Sequence, residues 1–271
     1  MSAMARTSRA RCARFALASA LLLAACSAAP QEKDRPDAAA PQTDGGSPPM
    51  DGGSPSADAG VACPRVSDPA LAAPSTIADA VALANALLAQ RSPVSLECFL
   101  AAVKHPLTVL GVVSTFSLQP SVAGALNPRV FIFSGNLVMS VVPAGDASPF
   151  VELAEYTSPV RSIKGQLEFP VTAPVALADA YDSIHAGIGT VCSGCHRDEQ
   201  QATQVTAAAA FESGVLAPLP SDVVPVQKMQ DDWTTCDPQT EPERCAILKA
   251  ILSPGPVLTG SFSADAPTIF N

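Results

Sequence analysis

Apolar residues recur along this chain with two different periods, and the change from one to the other divides it. Behind Ser75, a residue type suited to capping a helix N-terminus, Ile77, Val81, Ala84 and Leu88 follow at helical spacing and predict an amphipathic helix. A second, shorter helix is expected over 95–103. From 107 onward runs rich in β-branched and aromatic residues take over, and strands are expected at 107–117, 129–134, 137–142, 150–156 and 162–169. Gly135-Asn136 between two apolar runs marks a two-residue hairpin, and Gly145-Asp146 and Ser158-Pro159 mark the next turns. The pattern is that of an antiparallel β-meander with helices packed on one face. Nothing in it spells out catalysis: Ser114, Thr115 and Ser117 have no His or Asp at a catalytic spacing, and His105 reads as a helix C-terminal residue.

Pro170 and Pro174 end the β-rich part, and helical character resumes at Leu177. Leu177, Tyr181 and Ile184 form an apolar stripe that Gly187 and Gly189 interrupt. A helix-prone run covers 197–211, a loop covers 216–225, and a last helix is expected over 243–252. The predicted fold class is therefore α+β: a meander with packed helices at 63–173, followed by a mostly α-helical module at 174–271.

Before residue 63 the periodicity is absent. Residues 1–15 carry Arg6, Arg9, Arg11 and Arg14 with no carboxylate, and a short apolar run leads to Cys26, the layout of a secretory signal peptide. Leu23-Ala24-Ala25-Cys26 resembles the lipobox of bacterial lipoproteins. That resemblance implies cleavage of 1–25, lipidation of Cys26, and a place in the bacterial cell envelope, on the outer membrane, with lipid as the membrane attachment. Residues 27–62 shift to Pro, Gly, Ser, Ala and Asp, with near-repeats starting at Asp44 and Asp51, and read with Cys26 as a flexible tether. Removal of 1–25 takes four arginines, so the remaining 12 basic and 25 acidic residues leave a net charge of −13. Such a charge argues against nucleic acid and against anionic lipid surfaces as partners.

One short motif carries chemistry. In Cys192-Ser193-Gly194-Cys195-His196 the two thiols, three positions apart, share one side of a helical turn, and the histidine follows directly. The run resembles the haem-attachment signature of the c-type cytochromes. The resemblance implies one haem c, with Cys192 and Cys195 as thioether anchors and His196 as an axial iron ligand. Three readings compete: a dithiol redox pair, a zinc site completed by His185 or another cysteine, and a structural disulfide beside an incidental histidine. For the second axial position Met229 is the first candidate, then His185, then Met139, with a vacant or water-bound position as the alternative. His/Met ligation would suit electron transfer.

Of eight cysteines, Cys12 leaves with the signal, Cys26 is the lipidation site, and Cys192 and Cys195 belong to the motif. Cys63, Cys98, Cys236 and Cys245 remain, an even number consistent with two disulfides in an oxidising compartment. Three connectivities are open, and Cys63–Cys98 with Cys236–Cys245 is preferred because each pair is local in sequence. The expected function is one-electron transfer to an unidentified redox partner protein by an envelope lipoprotein. The alternatives are a haem-free, disulfide-stapled binding or scaffold lipoprotein, and a haem sensor or peroxidase-like protein with an open iron position.

Overall fold

Thr76, in extended backbone, accepts a hydrogen bond from the Asp79 amide while the Asp79 carboxylate accepts from the Thr76 amide, a reciprocal cap that starts helix α1 (Ile77–Leu88). The cap is thus Thr76, one position after Ser75, whose hydroxyl also donates to Asp79. The computed structural model describes residues 63–113 and 126–270, and these lie in one compact unit. The expected signal peptide, the expected lipidation site Cys26, the expected tether and Ser114, Thr115 and Ser117 fall outside the described residues.

Helix α2 (Leu96–Ala102) follows, and then the meander β1 (Leu107–Val112), β2 (Arg129–Ser134), β3 (Leu137–Val141), β4 (Phe150–Ser158) and β5 (Arg161–Glu168). These strands pair antiparallel in chain order, and Ser134 faces Leu137 across the Gly135-Asn136 turn, where Gly135 has φ +58°. The side chains alternate across the sheet as the period of two requires. Val130, Ile132, Met139, Val151, Leu153, Ile163 and Leu167 are buried in one continuous core with the apolar faces of α1 and α2. Arg129, Phe131, Ser140, Glu152, Tyr156, Ser162 and Lys164 project from the opposite face.

The second half departs from the expectation of a mostly helical module. It comprises α3 (Leu177–Asp182), β6 (His185–Ala186), β7 (Gly189–Thr190), β8 (Gln200–Gln201), β9 (Phe211–Gly214), β10 (Val223–Val224), α4 (Val226–Thr234), α5 (Pro242–Leu252) and β11 (Val257–Thr259). A nine-stranded sheet takes strands from both sides of residue 173: β10 and β11 join β1, and β9 followed by β8 extends the β5 edge. Only the β11–β1 pairing is parallel among these. The helix-prone run 197–211 is loop and short strand. Its alanines favour helix intrinsically, but a helix is stabilised mainly by packing an apolar face, and this segment instead satisfies its backbone on β9 and the β5 edge. Conversely, the stretch around Met229 and Trp233 forms α4.

Disulfides join Cys63 to Cys98 and Cys236 to Cys245. Among the described residues no helix is long and apolar enough to cross a membrane. Helix α3 lies close over β5 because Gly165 has no side chain: a Cβ there would sit 3.0 Å from the Ala180 carbonyl oxygen and 3.2 Å from Ile77 Cδ1. Gly165→Val is expected to lower the unfolding free energy by about 1–3 kcal/mol through overpacking, read from urea denaturation; an unchanged midpoint would contradict this packing.

Candidate functional site

Gly187 adopts φ +63° in the two-residue turn of the β6–β7 hairpin, which delivers Thr190 to the start of the motif. Val191–Gly194 form a 3₁₀ turn capped by Thr190, whose hydroxyl accepts from the Cys192 amide at 3.2 Å. The His196 amide donates to the Cys192 carbonyl at 2.9 Å, so the turn continues helically through the histidine. Glu199 returns to this corner: its carboxylate accepts from the Thr190 amide at 2.8 Å and from the Thr190 hydroxyl. Gly189 leaves room for that carboxylate, since a Cβ there would collide with Glu199 Oε1. Cys192 and Cys195 are free thiols, in contrast to the four disulfide-bonded cysteines.

The imidazole of His196 is fixed by the sheet. Its Nδ1 lies 2.7 Å from the Gly214 carbonyl oxygen, so Nδ1 carries the proton and donates, leaving Nε2 with a free lone pair. Gly214 also donates its own amide to the Arg197 carbonyl at 3.0 Å. It ends β9, which pairs with β5 through Arg161↔Gly214 and Ser162↔Ser213. Arg161 strengthens that edge by donating to Glu212 at 2.9 Å and to the Asp198 carbonyl at 3.0 Å. The backbone after the motif is therefore tied to the sheet at both its first residues.

Cys192, Cys195 and His196 face a cavity of about 230 Å³ within a cleft of about 1450 Å³ of empty space, its mouth included. One wall is the open face of the sheet; the other is the motif with Val215, Leu216, Leu219, Phe262 and Phe270. The apolar walls are interrupted by two cations. Arg129 pairs with Glu152 and donates to Ser140 Oγ at 2.8 Å. Lys164, 7 % exposed, donates to Ser162 Oγ at 2.7 Å.

Burial governs the protonation of these groups. It lowers His196 to about 4, with Lys164 adding to the effect, so the ring is neutral near pH 7 and able to ligate a metal. It raises the Cys192 thiol, the opposite of the lowered thiol of a reactive dithiol pair. It lowers Lys164 to about 8 and Arg129 to about 10. Burial also raises Tyr156, which keeps its hydroxyl proton.

The donor set fits a haem on geometry of this chain: two free thiols on one turn, a neutral imidazole with Nδ1 committed and Nε2 free, apolar walls, and cations suited to carboxylates. The zinc reading finds less, since among the described residues no three His, Cys, Asp or Glu side chains are grouped to hold a metal ion. The second-ligand candidates are not brought here. Met229 lies buried in the core on α4, its sulfur against Gly111 of β1. Met139 is buried on the helix-facing side of β3. His185 bonds the Ala209 carbonyl through Nε2, lies 3.4 Å from Asp182 and packs edge-on against Phe211. His105 bonds the Pro256 carbonyl, away from the cavity.

Sequence reasoning missed Lys164, Arg129, Glu199 and Gly214. No protein-family model, curated protein or solved structure matches this chain.

The buried ammonium of Lys164 has a stability signature. Its pKa is near 8 in the fold against 10.5 for the free side chain, so the fold carries the full penalty below pH 8 and sheds it as pH rises to 10.5. Lys164→Met is expected to stabilise the chain at pH 7 by on the order of 2–3 kcal/mol, the gap closing between pH 8 and 10.5. Urea melts across that range check it; a gap that does not depend on pH would contradict the burial of the charge.

Proposed function

We propose that this chain is an envelope lipoprotein holding one haem c through Cys192 and Cys195, with His196 as its single protein-derived axial ligand. The role favoured is binding or transformation of a small molecule at the opposite iron face, as in a haem sensor or peroxidase-like protein, rather than simple electron transfer. The observation that carries this reading is the cavity itself: among the described residues His196 is the only His or Met that lines it. Residues 114–125 contain no His or Met either. The expectation of His/Met electron transfer rested on Met229, which sits in the core on α4.

Haem would supply an iron with one coordination position open to a small ligand. The chain's own residues do the rest. The Nδ1–H donation to Gly214 fixes the tautomer and ring plane of His196 and increases the basicity of Nε2. Glu199 and Thr190 hold the thiols on their turn. The sheet wall presents the Tyr156 hydroxyl and the Arg129 and Lys164 cations as hydrogen-bond donors in a partly water-excluded space. Cys26 and the acidic tether would keep the domain at the membrane while letting it meet diffusing molecules.

Protein made in a host with c-type maturation machinery, then reduced, is expected to bind carbon monoxide with an immediate shift of the Soret band. Met229→Leu is expected to leave the haem spectrum unchanged. Refusal of carbon monoxide, together with a spectrum altered by Met229→Leu, would overturn the open-site reading and restore His/Met electron transfer.

A further inference from the structure

Lys164 stands on the central part of β5 with its ammonium enclosed in the cavity, and the fold gives it little in return. An ammonium has three N–H donors, and here one is used, on Ser162 Oγ, itself fully buried. No carboxylate among the described residues lies within ion-pair distance of Nζ. Glu152 and Asp222 line the same cavity, but Glu152 is engaged by Arg129, Asp222 forms no ion pair with Nζ, and Glu199 acts on the ammonium only from beyond ion-pair distance. A buried cation without a counter-charge is costly, and such groups are normally paired. Neighbouring walls are apolar, with Val138 and Ala154 beside Lys164 in one cross-strand row. The missing partner is an acceptor with negative charge attached to an apolar body.

We propose that Lys164 is a carboxylate anchor, and that the molecule filling the cavity places an anionic group on its ammonium, with its apolar part against the walls. This deepens the haem reading, under which the carboxylate is a haem propionate, yet the anchor is a property of the cavity and can be tested without haem. The same chemistry could serve a free small carboxylic acid instead.

The test uses the full chain made without haem attachment, thiols kept reduced, titrated calorimetrically with octanoate and separately with octan-1-ol. Octanoate is expected to bind, Lys164→Arg to retain that binding, and Lys164→Met to weaken it by about tenfold or more. Octan-1-ol is expected to bind wild type and Lys164→Met alike. Equal octanoate affinity in wild type and Lys164→Met, or no octanoate binding by wild type, overturns the proposal. Circular dichroism on Lys164→Met separates lost binding from lost fold. The haem-bearing chain then distinguishes the sources: exclusion of octanoate assigns the anchor to a haem propionate, and retained Lys164-dependent binding assigns it to a free acid. Failure to load haem at all would leave the first titration intact, so the two readings fail separately.

Discussion

The pairing of β9 with the edge of β5 is the constraint on which the candidate site depends. β5 belongs to the meander and is fixed by eight paired residues of β4 on one side and by α3 above it. Its other edge would be an exposed row of backbone donors and acceptors. β9 covers it for only a few residues, but its last residue, Gly214, supplies both the amide that holds Arg197 and the carbonyl that holds the His196 ring. Arg161 and Glu212 close the same edge with an ion pair across the two strands. The histidine is thus aimed by the most regular part of the molecule, though it lies in one of the least regular.

That arrangement gives the sheet two different faces. The helix-facing side is an ordinary apolar core, and Met229 and Met139 belong to it. The other side is an apolar surface carrying Arg129, Glu152, Ser162 and Lys164, roofed by chain with little secondary structure. Such a roof could not be stabilised by apolar burial alone at low cost to its polar backbone. Short strand pairings, the capped turn at Thr190 and the Glu199 return satisfy those groups instead. The low protonation of His196 and the lowered Lys164 have one shared cause, removal of both from water in the same enclosure.

The meander was legible because its strands alternate and its turns carry glycine; β2 matches the expected bounds, and the Gly135-Asn136 hairpin is in place. The motif was legible because its chemistry is local. What the sequence concealed is non-local. β8, β9 and β10 have two to four residues each, too few to show a period, and exist only because an edge lies beside them. The alanines of 207–210 signalled helix where tertiary pairing prevails. Met229 is the first second-ligand candidate in the sequence because its segment shows no strong secondary-structure signal, yet that segment forms α4 and turns the sulfur onto Gly111. Lys164 gave no signal, because no local pattern reveals that a second layer covers that face of the sheet.

The central claim is covalent haem on Cys192 and Cys195. Intact mass in denaturant with an alkaline pyridine haemochrome spectrum, on protein matured in a c-type-competent host, tests it most directly. The account predicts one haem-sized mass increment that survives denaturation, a c-type spectrum, and loss of both in the Cys192→Ser, Cys195→Ser double variant. A haem-free mass with a third disulfide between Cys192 and Cys195 would contradict it and favour the reading of a disulfide-stapled binding protein.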